Sequence, residues 1–168
     1  PIFGVFGKGQ YALAPLHVED FAAISLRAVD ADPSLPRIID CHVHFYDPSR
    51  PGGVPWPGKG TPLYRTVLPK DWLAVASPHG VRETVVVEAS PLLEDNQWIL
   101  DLAAKEKSIV GFVGNLDLAD PQFASHVKRF AANPIFRGIR ARGGLAKWTE
   151  SRDQILQSAK ALADHGLE

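Results

Sequence analysis

From residue 38 onward the chain alternates short apolar runs with amphipathic stretches four times over. That alternation restricts its possible folds more than any other feature. Ile38–Phe45, Glu83–Ala89, Ser108–Leu118 and Ile135–Arg142 are rich in Val, Ile and Phe, as strands buried on both faces are. Helices are expected over residues 70–79, 90–107, 120–131 and from Ser151 to about His165. Gly80 and Gly166 suit C-terminal caps, and Asp120-Pro121 pairs an N-cap acid with a first-turn proline. The stripes expected to face inward are Leu93, Trp98, Ile99, Leu102 and Ala103, then Phe123, Val127, Phe130 and Ala131. On the last helix they are Ile155, Leu156, Ala159, Leu162 and Ala163.

Strands alternating with helices imply parallel pairing through right-handed crossovers, hence an α/β fold. Two architectures accommodate this, a doubly wound open sheet and a (β/α)8 TIM-barrel-type fold. A doubly wound sheet usually has a glycine-rich phosphate loop after its first strand, and this sequence has none there. Polar residues fall instead at the carboxyl ends of all four strands: His42 and His44, Glu88, Asn115 and Asp117, Arg140 and Arg142. In barrels that rim holds the chemistry. A whole barrel takes about 200 residues or more. Residues 38–168 are therefore expected to form its first four βα units, with strand five due near Glu168. Residues 1–37 are expected to be an N-terminal extension or a linker.

The first strand ends in Asp40-Cys41-His42-Val43-His44, followed by an Asp47-Pro48 turn. Alternation along a strand puts Asp40, His42 and His44 on one face, where two imidazoles can hold one metal ion or one water. Asp40 is expected to support His42 rather than to be a ligand, and Asp47 to form the turn. Cys41, the only cysteine, has the opposite parity and reads as a small buried hydrophobe. His17, His79, His126 and His165 read as capping or solvent-facing residues. The long loop after the first strand, with Trp56, Lys59, Tyr64 and Arg65, is placed either to cover the site or to pack across the rim.

Bulk properties narrow the function. A net charge of −1, with scattered basic residues, gives no support for nucleic-acid binding. No apolar stretch reaches the ~18 residues of a membrane-spanning helix. The chain starts at Pro1 without a basic, signal-like segment, an opening that suggests processing or trimming and leaves both cytoplasm and an exported compartment open.

The ordered set Ile39-Asp40-x-His42-x-His44-x-x-Asp47-Pro48, Val85-Val86-Val87-Glu88-Ala89, Val110-Gly111…Asp117-Leu118…Asp120-Pro121 and Phe136-Arg137-Gly138-Ile139-Arg140 resembles the amidohydrolase superfamily. More narrowly it resembles the amidohydrolase-related branch that holds lactonases. The resemblance implies a barrel hydrolase in which His42 and His44 bind a divalent metal ion, often zinc, although some lactonases of the group use the same residues without metal. It also implies that Arg140 contacts a substrate carboxylate or carbonyl. Arg142 and Glu88 are further substrate-side candidates. The expected substrate is a small molecule, a carboxylated lactone or similar cyclic ester or amide. The family's remaining site residues, after strands five and eight, fall beyond Glu168. Two alternatives accompany this expectation: a metal-dependent decarboxylase of the same superfamily, and a truncated half-barrel acting as a binding or assembly module. Association with further copies or with a missing C-terminal half would cover the exposed sheet edges of a half-barrel.

Overall fold

The computed structural model describes residues 38–141 and 149–168. The proposed 1–37 extension and Arg142 lie outside them. Within the described residues the order is β1 (Ile39–Val43), α1 (Pro69–Ala76), a 3-10 turn (Ser77–His79), β2 (Glu83–Val87) and α2 (Leu93–Ala103). It continues with β3 (Ile109–Gly114), α3 (Phe123–Ala131), β4 (Phe136–Ile139) and α4 (Arg152–Asp164).

The four strands form one parallel sheet in the order β1-β2-β3-β4. A doubly wound sheet reverses direction from its first strand, whereas each strand here is laid beside the previous one. Crossovers of one hand then place successive helices on the same face. Between that face and the helices lies the core, where Val86 and Phe112 pack with Ile99, Leu100, Phe123, Val127, Phe130 and Phe136. The strands are shorter than the apolar runs because each run continues into the loop above its strand. Phe45, Leu116 and Leu118 are buried there without strand pairing.

Helix ends and faces differ from expectation at instructive points. Asp120 does not cap α3; its Oδ1 accepts the Gln122 N–H at 2.8 Å, making a turn before the helix. On α4 the inward stripe is Ile155, Ser158 and Leu162, while Leu156, Ala159 and Ala163 face outward. Ser158 belongs inside because its hydroxyl donates to the Leu118 carbonyl at 2.8 Å, satisfying a group above β3. α2 likewise turns Asn96 and Leu100 inward, beside the expected Ile99. Gly80 and Gly166 end their helices at φ 79° and 66°, left-handed values that favour glycine.

The backbone of Glu168 lies along the far edge of β4. Its N–H donates to the Arg137 carbonyl (3.1 Å), and its carbonyl accepts the Ile139 N–H (2.7 Å). Gly138 lies between those bonds, where a Cβ would collide with the Glu168 carbonyl oxygen. Glycine is the residue that permits this approach.

Candidate active site

The first-strand histidines sit where the sheet's carboxyl edge meets the long loop. Their rings are 5.0 Å apart between centroids, nearly perpendicular. His44 Nδ1 lies 2.9 Å from the Val87 carbonyl oxygen. A carbonyl can only accept, so Nδ1 carries a proton and donates it there. His42 is held below the usual histidine value by desolvation, then by His44 and Arg140, with Asp40 opposing. At neutral pH both its nitrogens therefore belong to an uncharged ring.

Glu88 follows β2 and is 3% exposed, and Arg140 follows β4. Their nearest charged atoms are 3.9 Å apart across the end of β3. His44, Glu88, Arg140, Pro55, Trp56, Ala89 and Pro91 line one open cleft of about 470 Å³. Three of the residues expected at the strand ends thus share a cleft, and His42 stands beside it.

Other expected residues take structural positions. Asp40 accepts the His42 backbone N–H at 3.1 Å and the Trp72 indole N–H at 3.3 Å, so it fixes the strand against α1. The β1–β2 register slips between Asp40 and Val43, which breaks the simple alternation assumed for 40, 42 and 44. Cys41 is exposed, a correction to its expected burial: among the described residues it lies on the outermost strand, and its thiol points back to the Ile39 carbonyl at 3.6 Å. Asn115 is tied to Asn96 and to the Pro91 carbonyl rather than to the cleft. Asp47 is a turn residue, accepting from Ser49 N–H, Ser49 hydroxyl and Thr66 hydroxyl at 2.7–2.9 Å.

Sequence reasoning left open what Trp56 does. Its indole stands edge-to-face with His44 (5.6 Å between centroids) and with Tyr46 (5.4 Å). The signal available was position alone, an aromatic in the loop that leaves the histidine strand.

Among the described residues no group of three or more His, Cys, Asp or Glu side chains converges to hold a metal. His42, its ring held below the usual histidine value, and His44, its Nδ1 turned to the Val87 carbonyl, fit as two nitrogen donors. A catalytic zinc site needs about three protein ligands.

The geometry defines an α/β protein with a polar cleft at the carboxyl ends of parallel strands. Residues 39–167 match the amidohydrolase family model, and the chain belongs to that family. Over 103 residues it is 34% identical to an L-fucono-1,5-lactonase of Burkholderia ambifaria, an alignment covering 61% of this chain and 35% of that protein. A Burkholderia multivorans L-fucono-1,5-lactonase is 31% identical over 103 residues, 61% of this chain and 34% of the relative. Crystal structures of an amidohydrolase from Burkholderia multivorans, one with bound zinc and one with bound HEPES, superpose with a TM-score of 0.66 at 24% identity. Those alignments cover 79% of this chain and 47% of the solved one. The chain thus spans about half the length of the solved relatives and about a third of the curated ones is aligned.

Proposed function

We propose that these residues are the first half of a (β/α)8 barrel hydrolase that opens a lactone by attack of water at the cleft beside His44. The observation that carries this is the meeting of His44, Glu88 and Arg140, from the ends of β1, β2 and β4, on one cleft, with His42 beside it. The unreversed strand order and the pairing of Glu168 with β4 support the barrel. The similarity to L-fucono-1,5-lactonases supports the lactone.

In this scheme Arg140, half exposed, points guanidinium donors at the lactone carbonyl or a substrate carboxylate, where opposite charge and paired donors bind best. Glu88 orients that guanidinium and is a substrate-side acceptor. Arg142, two residues further along the sequence, is proposed as a second substrate-side cation. His42, kept neutral, and His44, with its tautomer fixed by Val87, accept a proton from water or hold it in place. A divalent ion such as zinc, held by His42 and His44 with ligands from beyond residue 168, would supply Lewis-acid polarisation of the carbonyl and a more acidic water.

The test uses the full-length protein. Hydrolysis of 1,5-lactones of sugar acids is followed by acid release, with zinc content measured in the parent and in a His42→Ala, His44→Ala variant. Enzymatic hydrolysis lost in the variant is expected, with zinc lost alongside it. A parent that hydrolyses no such lactone refutes the function; equal zinc in both proteins refutes the ligand assignment.

A further inference from the structure

We infer that Trp56 is the residue that makes this cleft select a cyclic substrate over an open-chain ester, by packing its indole against the ring of the lactone. The inference rests on the lactonase reading. It starts from an indole that is 43% exposed although it lies among rings, where an aromatic of that size normally buries itself. Trp56 packs against His44 and Tyr46 and also lines the cleft shared with Glu88 and Arg140.

That position is built by the surrounding chain. The loop's base is closed by a pair of backbone hydrogen bonds between Tyr46 and Val67, at 3.0 and 2.9 Å, and by Thr66 donating to Asp47. Tyr46, whose ring touches Trp56, donates its hydroxyl to the Leu63 carbonyl at 3.2 Å. Arg50 fastens the early part of the loop to α2, with its guanidinium 2.7 Å from Asp95 and 4.0 Å above the Trp98 ring. Pro57, next to Trp56, is fully buried. An exposed indole anchored on both flanks faces the cleft at little further cost in conformational entropy.

The walls of the cleft divide by chemistry. Glu88 and Arg140 offer an acceptor and donors side by side, which suit the oxygen-bearing edge of a ligand. Trp56, with Pro55 and Pro91, offers apolar surface, which suits the C–H face of a saturated ring. A closed lactone presents both surfaces at once in a fixed geometry. An open-chain ester must freeze several torsions to do the same.

The test compares the full-length parent with Trp56→Ala and Trp56→Phe on a sugar-acid 1,5-lactone and on the methyl ester of the same acid. Trp56→Ala is expected to raise KM for the lactone about tenfold, the scale of losing one apolar ring contact, with kcat changed less than about threefold. The lactone-to-ester ratio of kcat/KM falls by a similar factor, and Trp56→Phe restores most of both. A lactone KM within twofold of the parent in Trp56→Ala, with the parent active, overturns the inference and leaves the lactonase reading standing. If the parent turns over neither compound, fluorescence decides the matter. Quenching by the lactone in the parent that disappears in Trp56→Phe, with binding retained by calorimetry, upholds the role of Trp56. Absence of binding in the parent overturns it.

Discussion

Replacing Asn96 by leucine tests how the carboxyl end of β3 is held, and with it the frame of the cleft. Asn96 is 1% exposed on the inner face of α2. Its Oδ1 accepts the Asn115 backbone N–H at 2.8 Å, and its Nδ2 donates to the Asn115 carbonyl at 2.8 Å and to the Leu93 carbonyl at 3.1 Å. One side-chain amide thus replaces the strand partner that Asn115 lacks just past Gly114. Leucine keeps much of the volume and removes every one of these bonds. A buried backbone group left unsatisfied costs about 1–3 kcal/mol. With two such groups on Asn115, we expect a loss of roughly 3 kcal/mol, or a Tm fall of about 6–12 °C for a chain of barrel size. Urea denaturation of the full-length protein measures it. Asn115→Ala is the control, since it removes only the bond from Asn115 Nδ2 to the Pro91 carbonyl at 2.8 Å. The control should cost about 1 kcal/mol. If Asn96→Leu costs no more than that control, the amide is not what holds this strand end, and the argument fails.

Gly138→Ala should destabilise by about 2 kcal/mol, because the new methyl displaces Glu168 and breaks both its hydrogen bonds to β4. Gly111→Ala meets only Val85 and Arg137 side-chain carbons at 3.3–3.4 Å and should cost less; calorimetric melts rank the two, and the reverse order refutes the account of β4's edge. The Asp47 carboxyl is held below its usual range by the Ser49 side-chain and backbone hydrogen bonds, then by Thr66 and Arg50. A lowered folded-state value stabilises above the unfolded carboxylate value of about 3.9 and is lost as pH falls through the folded one. The Tm gap between parent and Asp47→Asn should accordingly be open at neutral pH and close in acid; a gap that persists unchanged in acid refutes the charge-based clasp.

How much of this was legible in the sequence follows from which forces leave a periodic trace. Alternating apolar runs gave all four strands and helices, because burial repeats with the geometry of each element. The rim residues Glu88 and Arg140 were legible for the same reason, since each closes an apolar run at its carboxyl end. Asn96 and Ser158 were not, because each is a polar residue whose place inside depends on one distant backbone group, Asn115 N–H and C=O in one case and Leu118 C=O in the other. Cys41 failed differently: parity says which side a residue faces, and whether anything covers that side depends on its neighbours.

Trp56 marks the boundary between the two kinds of information. Its type and its place in the loop are written in the sequence, but its distance from His44 is set by Tyr46, Arg50 and Thr66 acting at separate points along the irregular chain between β1 and α1. A loop with this many anchors has few conformations left to lose on binding. That links the structural residues to the chemical ones: weakening Arg50 or Asp47 should change recognition in the cleft through the position of Trp56, without touching His42 or His44.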